Sequence, residues 1–212
     1  MTMKEFRTPQ ENFWAGRFGN EYIARNQDTN WVARNLGLFS QILAAVDGIE
    51  TIIEYGANIG LNLIALKQLL PAARLAGVEI NEKAMQQLRG LGYVDTYHSS
   101  ILEFSPKQTY DLVLTKGVLI HLNPEDLPRV YELLYRSSRR FICLAEYYNP
   151  TPVTVTYRGH SERLFKRDFA GEMLDQFSDL KLTRYGFVYH RDSVFPQDDL
   201  NWFLLEKRPS CA

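Results

Sequence analysis

Residues 51–62 read TIIEYGANIGLN, and this stretch decides the fold. A short apolar run typical of a buried strand ends at Glu54, and Gly56 and Gly60 then frame a turn into a helix that stops at Pro71. Glycine in such a turn permits a positive φ and lets a ligand approach the backbone closely. The helix amino terminus adds free N–H groups and a partial positive charge, which favour a carboxylate or a phosphate.

Strand and helix patterns alternate on both sides of this turn. A second strand ends at Glu79, and a carboxylate at that place can accept both hydroxyls of a ribose. Further strands are predicted near residues 94–97, 110–115, 140–145, 180–190 and 201–207. The alternation predicts an α/β fold with a mostly parallel sheet, a C-terminal antiparallel strand and helices on both faces. In such sheets the ligand lies at the carboxyl ends of the central strands.

The spacing of the glycines separates the classes of nucleotide site. No G-x-x-x-x-G-K-[ST] is present, which excludes a P-loop. The turn is G-x-x-x-G and not the G-x-G-x-x-G of NAD enzymes, so an NAD-dependent oxidoreductase is disfavoured. The carboxylate of Glu54, placed before the first glycine, suits a ligand that carries an ammonium group.

An E-x-G-x-x-x-G after the first strand, with an acid ending the second, resembles the class I S-adenosylmethionine-dependent methyltransferases. Asn58 stands where members usually have the middle glycine. The segments FWAGRFGNEYIARN (13–26) and RLFKRDFAGEM (163–173) resemble the pseudaminic-acid-biosynthesis-associated methylases, small bacterial proteins found beside surface-sugar genes. The resemblance implies a Rossmann-like sheet over about residues 35–207, S-adenosylmethionine as the cofactor and a part in surface polysaccharide biosynthesis.

The resemblance also implies where the cofactor binds. Ser100 and Ile101 are expected near the adenine ring, and Lys116 with Gly117 behind the methionine part. The N-terminal aromatic residues have two interpretations: a helical lid (residues 1–34) over a cofactor-binding domain (35–212), or side chains that fix a helix to the core. The predicted cofactor residues are Trp14, Tyr22, Arg25, Glu54, Gly56, Asn58, Gly60, Glu79, Ile80, Ser100, Ile101, Lys116 and Gly117.

Candidate acceptor residues follow the fourth and fifth strands. His121, with an unperturbed pKa near ~6.5, is either a general base at the acceptor or a histidine packed against the sheet. The segment 157–168 has a net charge of +2, and arginine suits phosphate or carboxylate, although a solvated loop is the alternative. The predicted substrate residues are Tyr147, Arg158, His160 and Arg163. The expected acceptor is a small anionic metabolite, a sugar nucleotide or another phosphate-bearing compound.

Composition narrows the remaining classes. With 24 basic and 25 acidic residues, the chain gives no electrostatic reason to bind nucleic acid or an anionic membrane. The start, MTMKEFRTPQENF, lacks the apolar core of a signal peptide, and Cys143 and Cys211 belong to no metal-binding motif. We therefore expect a cytoplasmic enzyme without a metal. The alternatives are a catalytically silent S-adenosylmethionine-binding protein and a methyltransferase of protein or RNA; the oligomeric state stays open.

Overall fold

Strands and helices alternate along residues 6–25, 30–44 and 46–208, the parts of the chain that the computed structural model describes. The strands are β1 (Thr51–Tyr55), β2 (Arg74–Glu79), β3 (Val94–His98), β4 (Tyr110–Lys116), β5 (Ser138–Glu146), β6 (Val153–Tyr157), β7 (His160–Lys166), β8 (Leu180–Val188) and β9 (Leu200–Lys207). The helices are α1 (Pro9–Ala15), α2 (Arg17–Arg25), α3 (Asn30–Leu43), α4 (Leu61–Leu69), α5 (Glu82–Gly90), α6 (Leu127–Ser137) and α7 (Phe169–Gln176). Cys211, which the sequence analysis considered as a metal ligand and set aside, lies outside the described residues.

Seven of these strands form one sheet in the order β3-β2-β1-β4-β5-β9-β8. The pairs from β3 to β5 are parallel, whereas β9 runs antiparallel to both β5 and β8. The predicted mostly parallel sheet with a C-terminal antiparallel strand is thereby confirmed. From β1 the chain first adds strands on one side, β2 and β3, and then crosses to the other side with β4. The turn after β1 therefore opens at the switch point where α/β sheets bind ligands.

Helices cover the sheet on both faces. Side chains such as Ile52 and Phe141 pack with α3, α4 and α5, and their neighbours Ile53 and Ile142 pack with α6 and α7. This alternation explains why the central strands are continuous apolar runs, since strands buried on both faces have no polar side. No helix in the described ranges is long and apolar enough to cross a membrane.

The N-terminal helices lie beside the carboxyl end of β2, where Asn81 contacts the carbonyl oxygens of Trp14 and Ala15. Thr8 and Glu11 form a capping box at the start of α1: the Glu11 N–H donates to Thr8 Oγ1 (3.1 Å) and the Thr8 N–H to Glu11 Oε2 (2.8 Å). The predicted boundary between residues 34 and 35 falls inside α3.

A two-stranded antiparallel sheet of β6 and β7 occupies the segment for which the sequence predicted no element. Its turn consists of Arg158 and Gly159, with φ of +48° and +84°. Two-residue hairpin turns of this hand favour Asn-Gly or Asp-Gly, and the arginine conceals the signal. The side chains of Val153–Tyr157 are largely exposed, so no inward-outward alternation marks the strand.

Candidate active site

A cavity of about 420 Å³ opens at the carboxyl ends of the central strands, with α1 and α2 forming part of its wall. Small-molecule sites span roughly 300–1,000 Å³, so this volume suits a metabolite-sized ligand. The cavity is where the fold prediction placed the ligand, at the carboxyl ends of β1, β2, β4 and β5.

The glycine turn forms one side of the cavity. Gly56 has a φ of +76°, and a Cβ there would lie 2.5 Å from Val118 Cγ2, so no other residue fits. Asn58, which replaces the usual glycine, also has a positive φ, of +47°. Asparagine is among the few other residues that adopt this conformation readily, which explains the replacement.

Glu79 is held in a fixed orientation at the end of β2. Its Oε2 accepts the N–H of Asn58 (2.8 Å), and its Oε1 accepts the N–H of Asn81 (2.7 Å). Only 8% of the residue is exposed, and this burial raises the pKa of its carboxyl, while the backbone N–H donors oppose the rise. A carboxylate with two committed donors and its remaining lone pairs toward the cavity can accept hydroxyl groups of a ligand.

Glu54 lies behind the cavity wall and does not line it. The residue is fully buried; its Oε1 accepts a hydrogen bond from Asn62 Nδ2 (2.5 Å), and its Oε2 has no partner in the described part of the chain. Burial raises the pKa of this carboxyl to about 8. Asn62 does line the cavity, and sequence analysis did not select it, although it follows Gly60 by two positions.

A half-buried lysine lies at the end of β4. Lys116 Nζ donates to Asn35 Oδ1 (3.0 Å) and lies 5.7 Å from the ring centre of Trp31. Loss of hydration lowers the pKa of Lys116 to about 8, against the opposing effect of the Glu54 carboxyl. Trp31 and Asn35 also line the cavity, and the sequence analysis did not select them.

The three predicted cofactor residues of the N-terminal helices, Trp14, Tyr22 and Arg25, lie together at the cavity. The ring centres of Trp14 and Tyr22 are 5.3 Å apart, and the Arg25 guanidinium lies 5.8 Å from the Tyr22 ring. All three line the cavity. Ser100 hydrogen-bonds with the carboxylate of Glu11, so helix α1 is connected directly to the loop that carries the predicted adenine residues.

His121 presents a neutral imidazole to the cavity. Its Nδ1 lies 2.6 Å from the carbonyl oxygen of Arg163. Because a carbonyl only accepts, Nδ1 carries the proton and Nε2 is the basic nitrogen. Burial lowers the pKa of His121 to about 4. The ring packs against Trp14 (4.6 Å between centres) and Tyr157 (4.9 Å).

Glu146 orients the segment that leads to His121. Its buried carboxylate, at the end of β5, accepts the N–H groups of Val118 and Leu119, each at 3.1 Å. Burial raises the pKa of Glu146 to about 7, and the backbone donors oppose the rise. No local sequence pattern predicts this contact, because it depends on two strands that end side by side.

The four predicted substrate residues divide between two environments. Tyr147 and Arg158 line the cavity. His160 instead packs against Phe13 (4.9 Å between ring centres), and the Arg163 guanidinium lies 5.3 Å from the same ring. The hairpin turns these two side chains toward α1, so the structure does not bring His160 and Arg163 to the cavity.

Most of the predicted cofactor residues do come together. Gly60 begins α4 and contacts the core, because a Cβ there would lie 2.7 Å from Leu88 Cδ1. In the described part of the chain, no three His, Cys, Asp or Glu side chains form a group that could hold a metal ion. Besides Tyr147, Arg158 and His121, the predicted residues that line the cavity are Trp14, Tyr22, Arg25, Gly56, Asn58, Glu79, Ile80, Ser100, Ile101, Lys116 and Gly117.

One family model matches the central part of the chain. Residues 52–140 match the methyltransferase domain. Comparison with curated proteins gives no match. The matched region runs from β1 to the first residues of β5 and therefore includes the glycine turn, Glu79 and His121.

Solved structures share the whole fold. Magnesium protoporphyrin IX methyltransferase from Synechocystis, with bound S-adenosylhomocysteine, is 14% identical, with 93% of this chain and 97% of that chain covered and a TM-score of 0.69. An S-adenosylmethionine-dependent methyltransferase from Leishmania major is 15% identical, with 94% and 87% covered and a TM-score of 0.70. The 1,6-didemethyltoxoflavin-N1-methyltransferase from Burkholderia thailandensis is 11% identical, with 98% and 94% covered and a TM-score of 0.68.

The family match, taken with this fold, confirms the predictions of a methyltransferase and of S-adenosylmethionine as its cofactor. These proteins are named for different methyl acceptors, magnesium protoporphyrin IX and 1,6-didemethyltoxoflavin, so the shared fold does not identify the acceptor. The narrower resemblance to the pseudaminic-acid-associated methylases stays a prediction.

Proposed function

We propose that this protein transfers the methyl group of S-adenosylmethionine to a small anionic metabolite, a sugar nucleotide or another phosphate-bearing compound. We place the reaction in the cytoplasm and in bacterial surface-glycan biosynthesis. The observation that carries the proposal is one cavity lined by the buried carboxylate of Glu79, the neutral imidazole of His121 and the guanidinium of Arg158. The Glu79 carboxylate suits the ribose of the cofactor, and the His121 imidazole and the Arg158 guanidinium suit an acceptor.

The residues around Glu79 fit the cofactor. The fixed carboxylate of Glu79 suits the ribose hydroxyls, and Ser100 with Ile101 lies on the side expected for the adenine. Asn62 Oδ1 is buried and has no partner among the residues described, and it lies between Glu54 and the cavity, where an ammonium group would satisfy it. When bound, S-adenosylmethionine supplies a methyl group activated by its sulfonium.

The residues on the opposite side fit an anionic acceptor. Arg158 is exposed at the hairpin turn and can move its guanidinium to a phosphate or carboxylate. His121 Nε2 can take the proton of a hydroxyl acceptor during transfer. An acceptor oxygen that is already ionised needs no base, and His121 then only orients it.

We further propose that the N-terminal helices act as a lid. Trp14 and Tyr22 form a wall of the cavity and contact His121 or each other, so they exclude water from the site when a ligand is bound. The other interpretation, a helix fixed to the core without a role in binding, predicts that substitution of Trp14 lowers stability and leaves cofactor affinity unchanged.

The test is release of S-adenosylhomocysteine from purified protein with matched acceptors, each offered with and without its phosphate. We expect release with the phosphorylated member of a pair and little with the other. Faster turnover of the uncharged member would contradict the anionic acceptor. Cofactor binding without release from any acceptor would favour a silent binding protein, and tight binding of NAD would contradict the cofactor assignment.

A further inference from the structure

Asn81 lies between the cofactor site and the N-terminal helices, and only 3% of it is exposed. Its Oδ1 caps α5 by accepting the N–H groups of Lys83 (3.0 Å) and Ala84 (3.1 Å). The cap uses one end of the amide and leaves the other, Nδ2, free to bind elsewhere.

Nδ2 of Asn81 points toward the N-terminal segment. Its two hydrogens lie within reach of three acceptors, the carbonyl oxygens of Trp14 (3.1 Å) and Ala15 (3.3 Å) and Asn20 Oδ1 (3.1 Å). The last carbonyls of a helix lack partners inside the helix, so the half-buried terminus of α1 gains from a donor outside it. Asn81 is that donor.

We infer that Asn81 is a positioning residue that holds α1 and α2 against the cofactor site. The contact is too close for a larger neighbour: a Cβ on Gly19 would lie 1.9 Å from the Trp14 carbonyl oxygen and 2.8 Å from Asn81 Nδ2. The same residue also orients Glu79 through its backbone N–H. One amino acid thus fixes both the carboxylate for the ribose and the helices that carry Trp14, Tyr22 and Arg25.

The consequence for binding rests on the proposed function. If the N-terminal helices are displaced, the cavity loses the wall formed by Trp14 and Tyr22 while the glycine turn and Glu79 stay in place. Cofactor affinity should therefore fall although the sheet remains folded. A residue that only caps α5 would not produce this separation.

Asn81→Asp separates the two uses of the side chain. Aspartate keeps an oxygen for the cap, since Asp and Asn cap helices about equally well, but it places a second oxygen against three acceptors. Asn81→Ser keeps a capping oxygen and removes the amide without adding charge. The matched control is Asn123→Asp, the same exchange at the cap of the 3₁₀ turn Pro124–Asp126, where Oδ1 accepts the Glu125 N–H and Nδ2 has no partner within the described ranges.

The first measurement is amide hydrogen exchange of the ligand-free proteins. In Asn81→Asp we expect exchange over residues 9–25 to become about tenfold faster or more, the equivalent of one to two hydrogen bonds. Protection over residues 82–90 should persist because the cap is retained. Asn81→Ser should show the same pattern to a smaller extent, and Asn123→Asp should match the wild type.

The second measurement is the affinity for S-adenosylhomocysteine, which we expect to fall about tenfold in Asn81→Asp. Unchanged exchange over residues 9–25 in both variants would overturn the inference, as would loss of protection confined to residues 82–90. If Asn81→Asp does not fold, the hydrogen exchange of Asn81→Ser over residues 9–25 decides whether the inference holds. A wild-type protein that binds no S-adenosylhomocysteine would contradict the proposed function and leave the exchange experiment valid.

Discussion

Replacing Glu54 by glutamine should make the protein more stable at alkaline pH. The carboxyl is fully buried, and only one of its oxygens has a hydrogen-bond partner among the described residues, the amide of Asn62. Glutamine keeps the size of the side chain and an oxygen for Asn62, and it removes the charge. The substitution therefore isolates the free-energy cost of ionising the buried carboxyl.

The magnitude follows from the pKa difference between the folded and unfolded chain. The pKa of the Glu54 carboxyl is 4.5 in the unfolded chain and about 8 in the folded protein, because burial disfavours the ionised form. The native state therefore holds the extra proton in this window, and wild-type stability falls as the pH rises from 4.5 to 8. At about 1.36 kcal/mol for each pKa unit, the full difference is roughly 5 kcal/mol.

The assay is urea unfolding of wild type and Glu54→Gln at pH 5.5 and pH 8. We expect the variant to gain on the wild type by at least about 2 kcal/mol between these two values. Glu132→Gln is the matched control, since this side chain is exposed on α6 and its removal should change stability equally at both pH values. A Glu54→Gln difference that is the same at both pH values would refute the reasoning.

Three further variants test the site. Glu79→Ala should cost roughly 1.5–3 kcal/mol of cofactor affinity by calorimetry, as a hydrogen bond to a charged group does, and unchanged affinity would contradict the ribose role. Arg158→Ala should raise the acceptor KM and leave cofactor affinity intact; Arg163→Ala, outside the cavity, is the control, and equal effects of both would refute the anion contact. His121→Gln should lower kcat by ~10²-fold or more for a hydroxyl acceptor at constant cofactor affinity. Because the pKa of His121 is about 4, wild-type kcat should show no limb from this group between pH 6 and pH 8, and wild-type turnover of the variant would mean that His121 is structural.

The features that the sequence predicted well are those that depend on local chemistry. The glycine turn and the acid that ends β2 each follow from a few neighbouring residues. The positive φ of Gly56 and the start of α4 after Gly60 depend on those neighbours alone, so the local pattern is sufficient.

The features that it missed depend on distant contacts. The second use of Asn81, toward the Trp14 carbonyl, joins residues 67 positions apart, and the Lys116 contact with Asn35 joins residues 81 apart. The unperturbed pKa of histidine is 6.5, and burial, with Trp14 and Tyr157 packed against the ring, lowers the pKa of His121 to about 4. Such effects arise only when separate elements pack together, and the spacing of residues does not record them.

The position of β9 inside the sheet sets an order on how the protein can be made. Residues 200–207 are the last strand of the sheet to leave the ribosome, yet they lie between β5 and β8. Until they emerge, the nascent chain holds β5 with an open hydrogen-bonding edge and β8 with no strand to pair with. A chain cut between residues 188 and 200 would lose the pairing of two strands for the removal of one. Completion of the sheet therefore waits for β9, and the nascent chain that lacks β9 is the form most exposed to chaperones and to aggregation.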